Sequence, residues 1–164
     1  MRPSHLALLL ACALPGAAAA KAWQGIVPGQ STRADVVARF GEPSTHGRLG
    51  DRTALVYKAD QAIAGTRQAQ FFTREDGLVL EIVLWPSSAL DRESVEGTYG
   101  KGAKKTFTED FRPVWLYKSQ GISVFFAKDG TVDAISFRPA DGTPAPAPRE
   151  SAPPKPAARP GGSS

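Results

Sequence analysis

Apolar positions at Val36, Val37 and Phe40 recur at the spacing of one helical face. They are framed by punctuation that starts and stops a helix. Thr32 followed three residues later by Asp35 reads as a capping box, Gly41 as the closing residue, and Pro43 as a bar to resumption. Beyond a polar, glycine-rich loop at Ser44–Arg52 the period changes to two. Ala54–Lys58, Gln68–Thr73 and Leu78–Trp85 read as strands, with Asp76-Gly77 as a hairpin turn and Pro86 as the stop. The pattern then repeats. A second helix is predicted over Asp91–Tyr99 and closed by Gly100. An edge strand follows over Lys104–Thr108, and strands over Val114–Lys118, Ile122–Phe126 and Val132–Phe137.

The two halves align residue by residue. A shift of 59 places Thr32 on Asp91, Val36 on Val95, Phe40 on Tyr99 and Gly41 on Gly100. A shift of 60 places Val56-Tyr57-Lys58 on Leu116-Tyr117-Lys118, and Phe71-Phe72 before Asp76-Gly77 corresponds to Phe125-Phe126 before Asp129-Gly130. The order of elements, more than any single match, indicates an internal repeat. The predicted fold class is α+β, two tandem helix-plus-antiparallel-meander units at 21–86 and 87–138. Strand alternation places Leu78, Leu80, Ile82 and Leu84 toward the helix and Val79, Glu81, Val83 and Trp85 away from it. With Val56 and Leu116 also taken inward, Tyr57, Trp85, Trp115 and Tyr117 are predicted on an open sheet face. Exposed Trp and Tyr there suit a protein partner. If the two units instead fold over one another, the same aromatics become core.

The termini change the picture of where the chain works. Residues 1–20 carry Arg2, an apolar run from Leu6 to Leu14 and Ala18-Ala19-Ala20, the layout of a secretory signal peptide cleaved before Lys21. The expected location is therefore periplasmic or secreted. Cys12, the sole cysteine, lies inside that segment, and an alternative is that it is the lipid-modified first residue of an outer-membrane lipoprotein. Residues 139–164 are rich in proline with no aromatic, a composition that reads as a disordered tail. No stretch after the signal is long and apolar enough to span a membrane. The formal net charge of +4 is spread over both halves without the basic stripe that nucleic acid requires.

The Ile26-Val27-Pro28-Gly29-Gln30-Ser31-Thr32 stretch, with Val36 and Phe40-Gly41-Glu42-Pro43, resembles the opening of the SmpA/OmlA (BamE-like) small outer-membrane lipoproteins. Its duplication resembles the tandem arrangement of the β-lactamase inhibitor proteins. The resemblance implies a helix-on-sheet module that binds proteins in the bacterial envelope, such as an accessory to outer-membrane protein assembly, with no catalytic residue and no cofactor. The loop Asp60–Arg67, where the inhibitors carry aromatics, has none, so β-lactamase inhibition is not implied.

Candidate chemistry is sparse. After the signal the only histidine is His46, without a G-x-S-x-G nucleophile motif, and the thiols and imidazoles of a zinc site are missing. Glu75-Asp76 and Glu109-Asp110 are adjacent carboxylates whose side chains diverge. The expectation is a non-enzymatic protein. An alternative is a small-ligand-binding or enzymatic protein that uses a cleft between the two units.

Overall fold

Thr32 Oγ1 accepts from the Asp35 amide at 3.4 Å while Asp35 Oδ2 accepts from the Thr32 amide at 2.7 Å, closing the capping box that starts α1, Arg33–Phe40. Gly41, at φ 79°, ends it with its N–H on the Val37 carbonyl. α2, Arg92–Tyr99, begins at Asp91, whose side chain accepts from Ser94 at 2.8 Å, and ends at Gly100 in the same way on Glu96. Each helix has only eight residues and buries one valine fully, Val36 and Val95. The computed structural model describes residues 20–141. The expected signal peptide except Ala20, the candidate lipid-modified Cys12, and the expected tail beyond Asp141 lie outside them.

The strands are β1 Thr45–Leu49, β2 Arg52–Lys58, β3 Thr66–Thr73, β4 Val79–Pro86, β5 Lys104–Phe107, β6 Pro113–Tyr117, β7 Ile122–Phe126 and β8 Val132–Phe137. They form one antiparallel sheet of eight strands in the order β1-β2-β3-β4-β8-β7-β6-β5. Two separate sheets do not form. β4 and β8 pair through Ile82↔Phe137, Val83↔Ser136 and Leu84↔Ile135, which among the described residues leaves edges only at β1 and β5. The loop expected at Ser44–Arg52 is largely β1. Its sequence, THGRL, alternates nothing apolar because every residue in it is exposed. Each helix is thus followed by four strands.

Both helices lie on one side of the sheet. Core rows run straight across it there: Leu55, Phe71, Ile82, Phe137, Ile122 and Tyr117 are successive register partners. So are Tyr57, Ala69, Leu84, Ile135, Val124 and Trp115. Val79 is also buried on this side, against the simple alternation, because the β3–β4 register shifts between Phe72 and Thr73 and leaves Leu80 half-exposed. Trp23 closes the layer at 5.8 Å from Phe40 and 6.0 Å from Phe71.

Several contacts recur in both halves. Tyr57 donates its hydroxyl to the Gly41 carbonyl at 2.8 Å, and Tyr117 to the Gly100 carbonyl at 2.9 Å. The Val79 amide donates to Ser31 at 2.9 Å and the Val132 amide to Leu90 at 2.8 Å. Each helix is so held to the sheet at both ends.

Of the tail expected over 139–164, the described residues 139–141 pack against the sheet. Ala140 is buried, the Arg138 amide donates to Gly121 at 2.8 Å and the Asp141 amide to Lys118 at 3.2 Å. Gly121 has φ 67°, and a Cβ there would lie 2.0 Å from the Arg138 oxygen. No other residue permits that approach.

Tyr57→Phe and Tyr117→Phe each leave a helix-terminal carbonyl without its donor and should each cost about 1 kcal/mol in urea unfolding. The rings belong to strands five steps apart, roughly 24 Å at the usual sheet spacing. The double variant should therefore lose the sum. A second expectation concerns acid. The Asp91 carboxyl is held below the usual carboxylate range, first by the Ser94 backbone amide and then by further hydrogen bonds. A depressed folded-state value stabilises the protein above the ordinary pKa of about 3.9, and that contribution is lost as pH falls through the lower folded value. Asp91→Asn keeps a capping acceptor but does not titrate, so its stability curve should be flatter than the wild type's below about pH 4.

Candidate functional site

Among the described residues no element covers the sheet face opposite the helices. Its central register row is Thr45, Val56, Gln70, Val83, Ser136, Ser123, Leu116 and Lys104, one residue from each strand. On one side of this row lie Ala54, Phe72 and Glu81 as partners. On the other, Trp85 pairs with Gln68, while Ala134, Phe125 and Val114 are partners across β8, β7 and β6. Continuing the Leu84↔Ile135 register by one residue sets Trp85 beside Ala134. Val56, Phe72, Val83, Trp85, Leu116 and Phe125 are all half-buried, shielded by their row neighbours rather than by a layer above.

The four aromatics expected on this face divide. Trp85 is there. Tyr57, Trp115 and Tyr117 are on the helix side, buried in the core rows. The correction follows from strand parity. Val56 and Leu116 share a row with Val83, so they point away from the helices, and the residues on either side of them point inward. Tyr57 packs edge-on against Phe71 at 5.7 Å and Trp115 against Phe126 at 4.9 Å. Burial, then the charge of Glu42, raises the Tyr57 hydroxyl pKa, which keeps it protonated as the donor to Gly41. Phe72 and Phe125 take the outward places. The signal for them was the Phe-Phe pair preceding each Asp-Gly turn, since one ring of each pair must face out.

The face carries one buried charge. Glu81, only 7 % exposed at the middle of β4, accepts from Ser136 Oγ at 2.7 Å and from Arg138 Nη2 at 2.7 Å, with Arg52 Nη1 at 3.8 Å. A desolvated carboxylate needs such partners. Near the Trp85 end, Asp133 is held by Arg67 at 3.1 Å and Arg112 at 3.7 Å. Glu81 and Asp133 are therefore paired in place, while Lys58 and Lys104, toward the two ends of the face, make no ion pair among the described residues, and the apolar side chains share the ground with Gln68, Gln70, Ser123 and Ser136.

Nothing in this arrangement assembles an acid–base or nucleophilic set. His46 is exposed on β1, opposite Leu55 on the helix side. Among the described residues no group of three or more His, Cys, Asp or Glu is placed to hold a metal ion. A small cleft of about 210 Å³ lies on the helix side, lined by Trp23, Leu84, Leu90, Tyr99 and Ile135 among others.

No protein-family model and no curated protein sequence matches the chain. Among solved structures it is similar to YjgB, a DUF4309-family protein from Bacillus subtilis, at 20% identity and a TM-score of 0.51. The match covers 71% of this chain and 83% of that one. The likeness is one of fold alone.

Trp115→Ala removes a core ring and should cost about 3–5 kcal/mol in urea unfolding. Trp85→Ala, on the open face, should cost less than about 2 kcal/mol. The two midpoints separate a structural tryptophan from an available one.

Proposed function

We propose that this chain is an exported, non-enzymatic protein-binding module of the bacterial cell envelope. In this reading it is built as two tandem SmpA/OmlA-like helix-plus-meander units and engages its partner through the uncovered sheet face. The observation that carries the reading is that face itself. Val56, Phe72, Val83, Trp85, Leu116 and Phe125 offer apolar ground on a rigid sheet, and the carboxylates among them, Glu81 and Asp133, are already satisfied. A partner therefore desolvates little that is unpaired when it docks, which suits association more than catalysis. The repeated helix-to-sheet contacts, Tyr57 on Gly41 and Tyr117 on Gly100, support two related units fused through β4 and β8. An accessory role in outer-membrane protein assembly follows from the resemblance of the Ile26–Pro43 segment.

Photo-crosslinking in cells tests the surface. A photoreactive residue at Val83 or Trp85 should trap one discrete envelope protein, and the same residue at the exposed Ala38 of α1 should trap none. Equal trapping at both positions would remove the face from consideration. Intact mass from fractionated cells tests the location. A soluble species starting at Lys21 is expected, and a diacylated species starting at Cys12 would make the protein a lipoprotein.

A second reading rests on the cleft of about 210 Å³ between the halves, whose apolar lining would take a small hydrophobic ligand. A thermal shift with such ligands that Leu90→Trp abolishes would favour it over the sheet face.

A further inference from the structure

Among the described residues the most exposed large apolar side chains are Phe111 at 85%, Phe107 at 66% and Leu49 at 64%. Two of the three belong to the β5–β6 hairpin. Phe111 sits in its turn with φ 58°, a left-handed conformation that favours glycine. The first hairpin of the other half, β1–β2, has Gly50 at φ 62° in its turn. The second half therefore holds a strained, solvated phenylalanine in the conformation that the first half gives to glycine. The turn is fastened around it. The Phe111 amide donates to Thr108 at 3.0 Å, the Arg112 amide to Thr108 Oγ1 at 3.0 Å, and Asp110 is held by Arg112 at 2.6 Å. Such cost at an exposed site marks a function more than a fold.

The ground beside it is a groove of about 520 Å³ between α2 and β5, lined by Arg92, Glu93, Glu96, Lys105, Phe107 and Trp115 among others. Trp115 forms the floor, with Lys105 Nζ 4.1 Å from its ring centre and bonded to Glu96 at 3.3 Å. Charges within the groove balance. Those along the edge do not. β5 is the last strand of the sheet, so one row of its backbone N–H and C=O groups faces solvent. Lys101 and Lys104 line its approach and are not ion-paired among the described residues. Of the carboxylates without an ion pair among them, Glu93 lies across the groove on α2 and Glu109 in the turn beyond the end of the strand.

We propose that the β5 edge binds an extended segment of a partner protein, alternating acidic and apolar, which adds to the sheet as a further strand. Strand addition supplies the missing hydrogen bonds, and side chains on alternate positions supply the choice of sequence. Lys105 and Phe107 face α2 while Lys104 and Thr106 face the other way, as their pairing with Trp115, Pro113, Leu116 and Val114 dictates. An incoming strand therefore meets Phe107 and Phe111 with apolar residues and Lys101 and Lys104 with carboxylates. The lysines also disfavour a second copy of β5, because both copies would crowd their unpaired cations onto one seam. This edge meets the uncovered sheet face only at its margin, through Lys104 and Thr106, four strands from Trp85 on β4.

Selection of short random peptides displayed on phage against the full chain tests the proposal. The enriched sequences should alternate acidic and apolar residues, and a synthetic consensus peptide should bind in fluorescence anisotropy. Phe111→Gly should weaken that binding about tenfold or more. It should also raise the melting temperature by about 3 °C, since glycine relieves the turn. Lys104→Glu should weaken binding to a similar degree, and Trp85→Ser, on the other face, should leave it unchanged. Enrichment of basic or non-alternating sequences, or of none, overturns the proposal. Binding indifferent to Phe111→Gly and Lys104→Glu does so too, as does a fall in melting temperature on Phe111→Gly. A concentration-dependent dimer joined at β5 would replace it with self-association.

Discussion

Two helices of eight residues, each about 12 Å long, have to cover a sheet eight strands wide. They can do so on one side only. That constraint governs which side chains are large, where the polar groups go and which surface remains for function. The helix side receives two full register rows of apolar residues, with Trp23 filling in beside α1. The opposite side receives a mixture in which the carboxylates, Glu81 and Asp133, have arginine partners. Because strand side chains alternate, choosing the inward residue on any one strand chooses it on all eight.

The tyrosines show how the short helices are kept in place. Eight residues in isolation are too few for a stable helix in water. Each here is anchored at its start by a capping side chain and at its end by a phenol reaching up from the sheet to the last carbonyl. The rings that deliver those hydroxyls are themselves buried among the core rows. Packing and hydrogen bonding thus reinforce each other at one residue in each half, and a ring in that position is unavailable to a partner.

Much of this was legible in the chain itself. Both helices follow from Thr32, Asp91, the valines and the closing glycines, all of which act within a few residues. The Asp-Gly hairpins are equally local. The repeated order of elements also follows, though the joining of both halves into one sheet does not, because β4–β8 pairing depends on residues some 55 positions apart that carry no mutual mark. β1 was invisible for a different reason. An edge strand exposed on every residue has no apolar period to detect. The misplaced aromatics trace to a single parity choice at Val56 and Leu116, where both neighbours are also apolar and alternation alone cannot choose. Trp85 came out on the open face because Ile82 and Leu84 on either side of Val83 set the parity of β4 correctly. Phe107 and Phe111 drew no attention in the sequence, since a lone phenylalanine in a turn is conspicuous only once its backbone angle is known.

The closing strand of the sheet carries a consequence for how the molecule is made. β4 is complete by residue 86, but its second neighbour is β8, which spans Val132–Phe137. During synthesis the first four strands can assemble while one flank of β4, with Ile82 and Leu84 on it, stays open until Phe137 has emerged. Loop-closure entropy makes such a distant pairing slow to form. For that interval the nascent chain presents an apolar margin with unpaired backbone groups in the middle of what will become its sheet, and that margin needs shielding until the final strand arrives.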